Sequence, residues 1–248
     1  MGLLKQFKKD ELNVCVFETR AEMGKAAALD AAACMNKLLE TKEYINVVFA
    51  AAPSQNEMLA ELSKMDIDWS RVNAFHMDEY VGLDTDAPQT FKHFLKEHIF
   101  DLVPFRHVYY ISEHQDQYEE LLRQYPTDIV CLGIGENGHI AFNDPGEADF
   151  NDTKLLKKVT LDDVCRQQQV NDGCFPTFDD VPQYAYSLTI PALVKADHLF
   201  CVVPAPTKRE AVTRTVHEEI TENCPATIMR RHKSVTMYCD KDSGADLL

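Results

Sequence analysis

The chain has 248 residues, of which 45% are hydrophobic and 26% charged. That is enough for one sizeable core and ordinary for a soluble globular protein, so it is read as one domain over 1–248. A formal net charge of −15 argues against broad binding to nucleic acid or to an anionic membrane. It leaves room for a phosphorylated small molecule, which a few cations or backbone amides can hold.

The amino-terminal stretch "MGLLKQFKKDELNVCVFE" lacks the apolar run of a secretion signal. No segment approaches the ~20 apolar residues of a membrane span. Gln6 stands where a myristoylation start needs Ser or Thr. The eight cysteines form no C-x-x-C pair, and several sit in apolar runs. Buried thiols in a reducing compartment, the cytoplasm, are therefore expected.

In chain order, "LNVCVFET" (12–19) reads as a strand and 20–42 as a long alanine-rich helix. A buried strand (44–51) leads into a helix (53–65) that opens with Pro53 and Ser54. A third strand (72–80) ends in charge. A helix (90–103), a strand (107–112) and a helix (115–125) follow. "DIVCLGIG" (128–135) is the central buried strand. Residues 136–182 read as irregular. A strand and short helix (184–196), a strand (198–205), a helix (207–220) and a last strand (234–240) complete the chain. Alternating strands and helices predict an α/β fold: a Rossmann-like open, mostly parallel sheet with helices on both faces. Such sheets bind ligands beyond the carboxyl ends of their strands, which selects 50–56, 76–80, 133–145 and 203–208.

"GIGENG" (133–138) matches the glycine pattern of dinucleotide-binding turns. The match fails in context, because the following "HIAFNDPGE" is a poor helix broken at Pro145-Gly146. The glycines, Gly135 and Gly138 among them, are better read as shaping a loop that approaches a ligand closely. His139 lies just beyond, with Glu136, Asn137 and Asp144 nearby in sequence. A histidine oriented by a carboxylate or amide shuttles protons near neutral pH, although a structural histidine capping the loop fits the segment equally well.

In "FHMDEY" (75–80), Asp78 and Glu79 point to opposite faces of a strand. One can enter a cleft as a base toward a carbon acid while the other makes structural bonds; a solvated acidic turn is the plainer alternative. At "APSQNE" (52–57), Ser54 and Gln55 offer donors at a helix start, the place for an anion or for simple N-capping. Lys208 in "VPAPTKREAV" (203–212) opposes its helix dipole, as a phosphate partner would. Arg166 is a further candidate cation. The histidines are scattered without metal-site spacing, and no metal is expected.

Taken together, "FHMDEYVGL" (75–83) and "GIGENGHIAFNDPG" (133–146) resemble the two most recognisable motifs of the glucosamine-6-phosphate deaminase/isomerase family, in order and separation. The resemblance extends through "VPQYAYSLTIPAL" (181–193) and "VVPAPTKREAV" (202–212). It implies a cofactor-free conversion of an amino-sugar 6-phosphate, gluco or galacto, to a ketose 6-phosphate with loss of ammonia. By that resemblance Asp78 is the base moving a proton from C2 to C1, and His139 assists ring opening. Asn137, an acid in some members, and Asp144, matching a glutamate, orient His139, and Lys208 holds the phosphate. The phosphate loop lacks the family's glycines, and Arg166 is an imperfect match for a family arginine. Other sugar-phosphate isomerases, a 6-phosphogluconolactonase-like hydrolase and a non-catalytic sugar-phosphate sensor are the alternatives. Oligomeric state, homo-oligomer included, stays open.

Overall fold

The computed structural model describes residues 2–248. Strands rich in valine, isoleucine and phenylalanine alternate with helices, and the two periodicities set the layers. A hairpin of β1 (Leu3–Lys9) and β2 (Leu12–Phe17) leads into α1 (Arg20–Leu39). Then come β3 (Ile45–Phe49), α2 (Asn56–Leu62), β4 (Val72–His76), β5 (Asp78–Tyr80) and α3 (Phe91–Leu95). Next are β6 (His107–Tyr109), α4 (Ile111–His114), α5 (Tyr118–Gln124) and β7 (Ile129–Leu132). The remainder is β8 (Leu156–Thr160), α6 (Asp163–Asn171), β9 (Tyr184–Leu188), α7 (Ile190–Val194), β10 (His198–Val203), α8 (Arg209–His217) and β11 (Val235–Asp240).

Eight strands form one sheet in the order β1-β2-β11-β10-β7-β3-β4-β6. All neighbours are parallel except the β1–β2 hairpin. This is the expected open, mostly parallel α/β sheet. Alternate residues of a strand serve opposite faces: Val47 and Phe49 join one apolar core, Val48 the other. Helices α1, α2 and α3 cover the first face; α5, α7 and α8 cover the second. Both β3 and β4 are buried along their whole length, and their polar residues are paired inside, Asn73 Nδ2 donating to Asn46 Oδ1 at 2.9 Å.

Four departures from the sequence reading have identifiable causes. Strand β1 was not expected because its residues are mostly exposed and lack an apolar face. The strand expected over 72–80 breaks at Met77: β4 stays in the large sheet, while β5 pairs antiparallel with β9 in a second sheet, β5-β9-β8. The helix expected over 90–103 makes a regular turn and then a wider π-turn over Lys96–Phe100. The segment read as irregular holds β8 and α6. Asp162 caps α6 by accepting from the Cys165 amide at 2.6 Å. None of the helices among the described residues is long and apolar enough to cross a membrane.

Candidate active site

The carboxyl ends of β3, β4, β7 and β10 converge on one edge of the large sheet. There Ser54, Gln55, Asp78, Gly135, His139 and Lys208 line a cleft enclosing about 500 Å³, open solvent at its mouth included. This is where open α/β sheets bind ligands. A wider groove lies at the opposite edge, lined by Lys42, Tyr44, Asp128 and Lys195 among others. Its buried Asp128 is already paired with Lys42, and none of the buried polar atoms left without a partner lines it. The cleft, by contrast, holds three such atoms, Asp78 Oδ1, Gln55 Oε1 and His139 Nδ1.

The Met77 break aims the two acids apart. Glu79 turns inward and accepts from the amides of Tyr80 (3.0 Å), Phe91 (3.0 Å) and Lys92 (2.9 Å), tying β5 to the start of α3. Asp78 faces the cleft, only 7% exposed. Burial, and secondarily the charge of Glu79, push its carboxyl well above the usual carboxylate range. Such a group binds a proton strongly once ionised, as a base toward a carbon acid must. Two residues earlier, burial drives His76 down to about 3, and its neutral ring accepts from the Ile111 amide at 2.8 Å. His76 therefore fixes the strand end without adding charge.

The loop after β7 presents a histidine to the cleft. His139 Nδ1 lies 2.7 Å from Asp144 Oδ1, although its N–H direction misses a linear bond. Burial raises Asp144, but the imidazole beside it and hydrogen bonds from Asn137 and the Asp162 amide outweigh that and hold it below the usual range. Asn137 Nδ2 donates to Asp144 Oδ1 (3.0 Å) and to Asp162 Oδ2 (3.1 Å). Its Oδ1 accepts from the His139 amide at 3.0 Å. Space at Gly135 is what admits the imidazole: a Cβ there would lie 2.1 Å from Cε1. Gly138 serves differently, turning the chain with φ +88° and packing against Cys224 rather than the ligand.

The third part gathers polar side chains around Gly133 and the start of α8. Ser54 caps no helix; its hydroxyl accepts from Gln55 Nε2 at 3.1 Å, and both side chains sit against Gly133. Lys208 is buried, and burial lowers its ammonium below the usual range despite the nearby charges of Asp172 and Glu136. It forms no ion pair among the described residues. The turn bearing it runs through Ala205 at φ +83°, a backbone region costly for any residue with a Cβ. Asp240 anchors that turn by accepting from the Ala205 amide at 3.0 Å and the Ser243 amide at 2.8 Å.

Of the residues singled out in the sequence, the structure brings Ser54, Gln55, Asp78, Gly135, His139 and Lys208 to one cleft, with Asn137, Gly138 and Asp144 behind the loop. Arg166 is not part of it. Its guanidinium stacks on Phe178 at 4.0 Å and donates to the carbonyls of Phe178 (2.9 Å) and Val181 (3.0 Å). The next turn of α6 instead sends Gln168 and Gln169 to the cleft, and Gly133 also lines it. Gln169 accepts from Tyr80 Oη at 2.8 Å, and Gln168 accepts from the Glu136 amide at 2.9 Å. The glutamine run in "CRQQQV" was the available signal, hidden by the unread helix.

Cys165 completes a buried group with His139 and Asp144 whose donor atoms all lie within 4.8 Å. Burial and the neighbouring aspartates push its thiol well up, and Asp144 accepts from Asn137 Nδ2 and the Asp162 amide.

The model of glucosamine-6-phosphate isomerases/6-phosphogluconolactonase matches residues 18–238. The chain belongs to that family. It is 32% identical over 239 residues to a glucosamine-6-phosphate deaminase of Bacillus cereus strain B4264, covering 94% of this chain and 88% of the relative. A glucosamine-6-phosphate deaminase of Bacillus thuringiensis strain Al Hakam matches to the same extent. Among solved structures, a monomeric glucosamine-6-phosphate deaminase superposes with a TM-score of 0.81 at 24% identity, over 95% of this chain and 99% of that one. A 6-phosphogluconolactonase from Trypanosoma brucei gives 0.79 at 13% identity, over 98% and 100%.

Proposed function

We infer that the chain is a cofactor-independent amino-sugar 6-phosphate deaminase/isomerase acting on glucosamine 6-phosphate. The carrying observation is the division of the cleft: an unpartnered carboxylate on one wall, a histidine–carboxylate pair on another, and a buried cation beside Ser54 and Gln55. In this reading Lys208, Ser54 and Gln55 take the phosphate. His139, its Nδ1 side engaged by Asp144, moves a proton at the ring oxygen to open the sugar. Asp78 then removes the C2 proton and returns it to C1. The resulting ketimine takes up water and releases ammonia and fructose 6-phosphate.

Two features favour this over lactone hydrolysis. Hydrolysis does not need a base raised by burial in the position of Asp78, and the named curated relatives are deaminases. The decisive experiment is ammonia release from glucosamine 6-phosphate and galactosamine 6-phosphate in parallel, with 6-phosphogluconolactone hydrolysis as the third arm. Release from the gluco sugar supports the reading. Release from the galacto sugar alone reassigns the C4 configuration, and lactone hydrolysis alone overturns the deaminase assignment.

A further inference from the structure

Asn137 is an amide at a loop position where an acid would give His139 a second carboxylate. Its hydrogen bonds give that choice a reason. Both Nδ2 hydrogens are spent on carboxylates, Asp144 Oδ1 at 3.0 Å and Asp162 Oδ2 at 3.1 Å. With the nitrogen so placed, Oδ1 faces the other way and accepts from the His139 amide at 3.0 Å. The amide is therefore fully used, and its orientation is fixed by its partners. Asp162 is equally committed: Oδ1 caps α6 through the Cys165 amide (2.6 Å), and its own amide points to Asp144 Oδ2 at 3.4 Å. The charged or titrating groups around this knot are Asp144 on the loop, Asp162 and Cys165 at the head of α6, and Arg214 of α8, whose Nη1 reaches the Asn137 carbonyl at 3.4 Å.

We propose that Asp162 is a positioning residue of the site: with Asp144 it clamps the neutral Asn137 amide, and this carboxylate–amide–carboxylate bridge holds His139 in place and ties α6 to the catalytic loop. The carboxylate missing from position 137 is thus supplied from α6, one hydrogen bond further from the imidazole. An acid at 137 does not improve such a site. It sets a third carboxyl against Asp144 and Asp162, where like charges disfavour ionisation, and removes the donor that joins those two. The bridge also makes docking of α6, which brings Gln168 and Gln169 into the cleft, inseparable from the setting of His139.

The inference rests on the deaminase reading for its kinetic assay, so the test also has an arm independent of turnover. Asp162→Asn keeps the helix cap but turns an amide nitrogen toward Asn137 Nδ2, donor against donor. Asn137→Asp is the reverse change, and the double variant restores a donor–acceptor pair between 137 and 162. Each single variant is expected to lower kcat for ammonia release by about tenfold or more at nearly unchanged KM, with the folded state retained by thermal melting. The double variant should recover part of the loss shown by Asn137→Asp. An Asn137→Asp enzyme at or above wild-type kcat, or a double variant showing the simple product of the two losses, overturns the proposal. The second arm is the 15N resonance of His139 Nδ1, which should move in Asp162→Asn; an unmoved resonance overturns it as well. If wild type releases no ammonia, the functional reading falls and the resonance alone decides the bridge.

Discussion

Replacing Gly135 by alanine tests the site through geometry alone. The Cβ would sit 2.1 Å from His139 Cε1 and 2.3 Å from each ring nitrogen, against the 3.4 Å of an ordinary contact. The neighbour is a ring wedged between the loop and Asp144, so it cannot swing aside as a flexible chain end would. It must retreat by more than about 1 Å, which breaks the 2.7 Å approach of Nδ1 to Asp144. Misplacing a catalytic group by that distance costs about a hundredfold in rate. Gly135 is absent from the positive-φ positions, so no backbone penalty is added, and overpacking should cost about 1–3 kcal/mol of stability. The expected Gly135→Ala enzyme is folded, melts several degrees lower, and releases ammonia about a hundredfold more slowly with KM little changed. Steady-state ammonia release and a melting curve on one preparation check this. A folded variant with wild-type kcat would refute the placement of His139 in the chemistry.

Asp78→Asn should abolish turnover while substrate still binds, and it should also stabilise the fold. Because burial raises the folded-state pKa of Asp78, the wild-type protein loses stability only as pH rises above the unfolded carboxylate value of about 3.9, where the unfolded chain releases a proton that the folded state retains. The variant's melting advantage should therefore be small below that pH and grow as pH rises; an advantage independent of pH would show that Asp78 is not strained by burial. Lys208→Ala should raise KM by about tenfold or more with a smaller effect on kcat, since phosphate is held in ground and transition states alike. An unchanged KM would place the phosphate elsewhere. Arg166→Ala should cost about 1–3 kcal/mol in urea unfolding by freeing two carbonyls, with KM moving far less than in Lys208→Ala. A KM rise equal to that of Lys208→Ala would return Arg166 to the ligand site.

The large sheet was legible because its strands are buried on both faces and read as apolar runs bounded by turns, β3 and β7 above all. The strand-end rule then located Asp78, His139 and Lys208 without knowledge of their contacts. What stayed hidden lacks an apolar signature. Strand β1 is held by main-chain pairing, and α6 by the Asp162 cap rather than by a hydrophobic stripe. Missing α6 misdirected the search for a second cation toward Arg166, while neutral Gln168 and Gln169 from the same helix line the cleft. The break at Met77 was invisible too, because both of its sides are buried.

That break divides labour between two bodies. Lys208 and His139 ride on the large sheet, whereas Asp78 belongs to the small one, paired with Ser187 of β9. The two meet where Leu188 donates to the Met77 carbonyl (2.7 Å), Phe142 to Ser187 Oγ (3.0 Å) and Asn143 Nδ2 to the Leu188 carbonyl (2.8 Å), with Tyr80 of the small sheet packed on Phe142 at 5.5 Å. On the proposed reading, grip on the substrate and reach of the base therefore belong to different sheets. In that reading, a shift of β9 would move the Asp78 carboxylate through its pairing with Ser187 while leaving Lys208, at the end of β10, where it is.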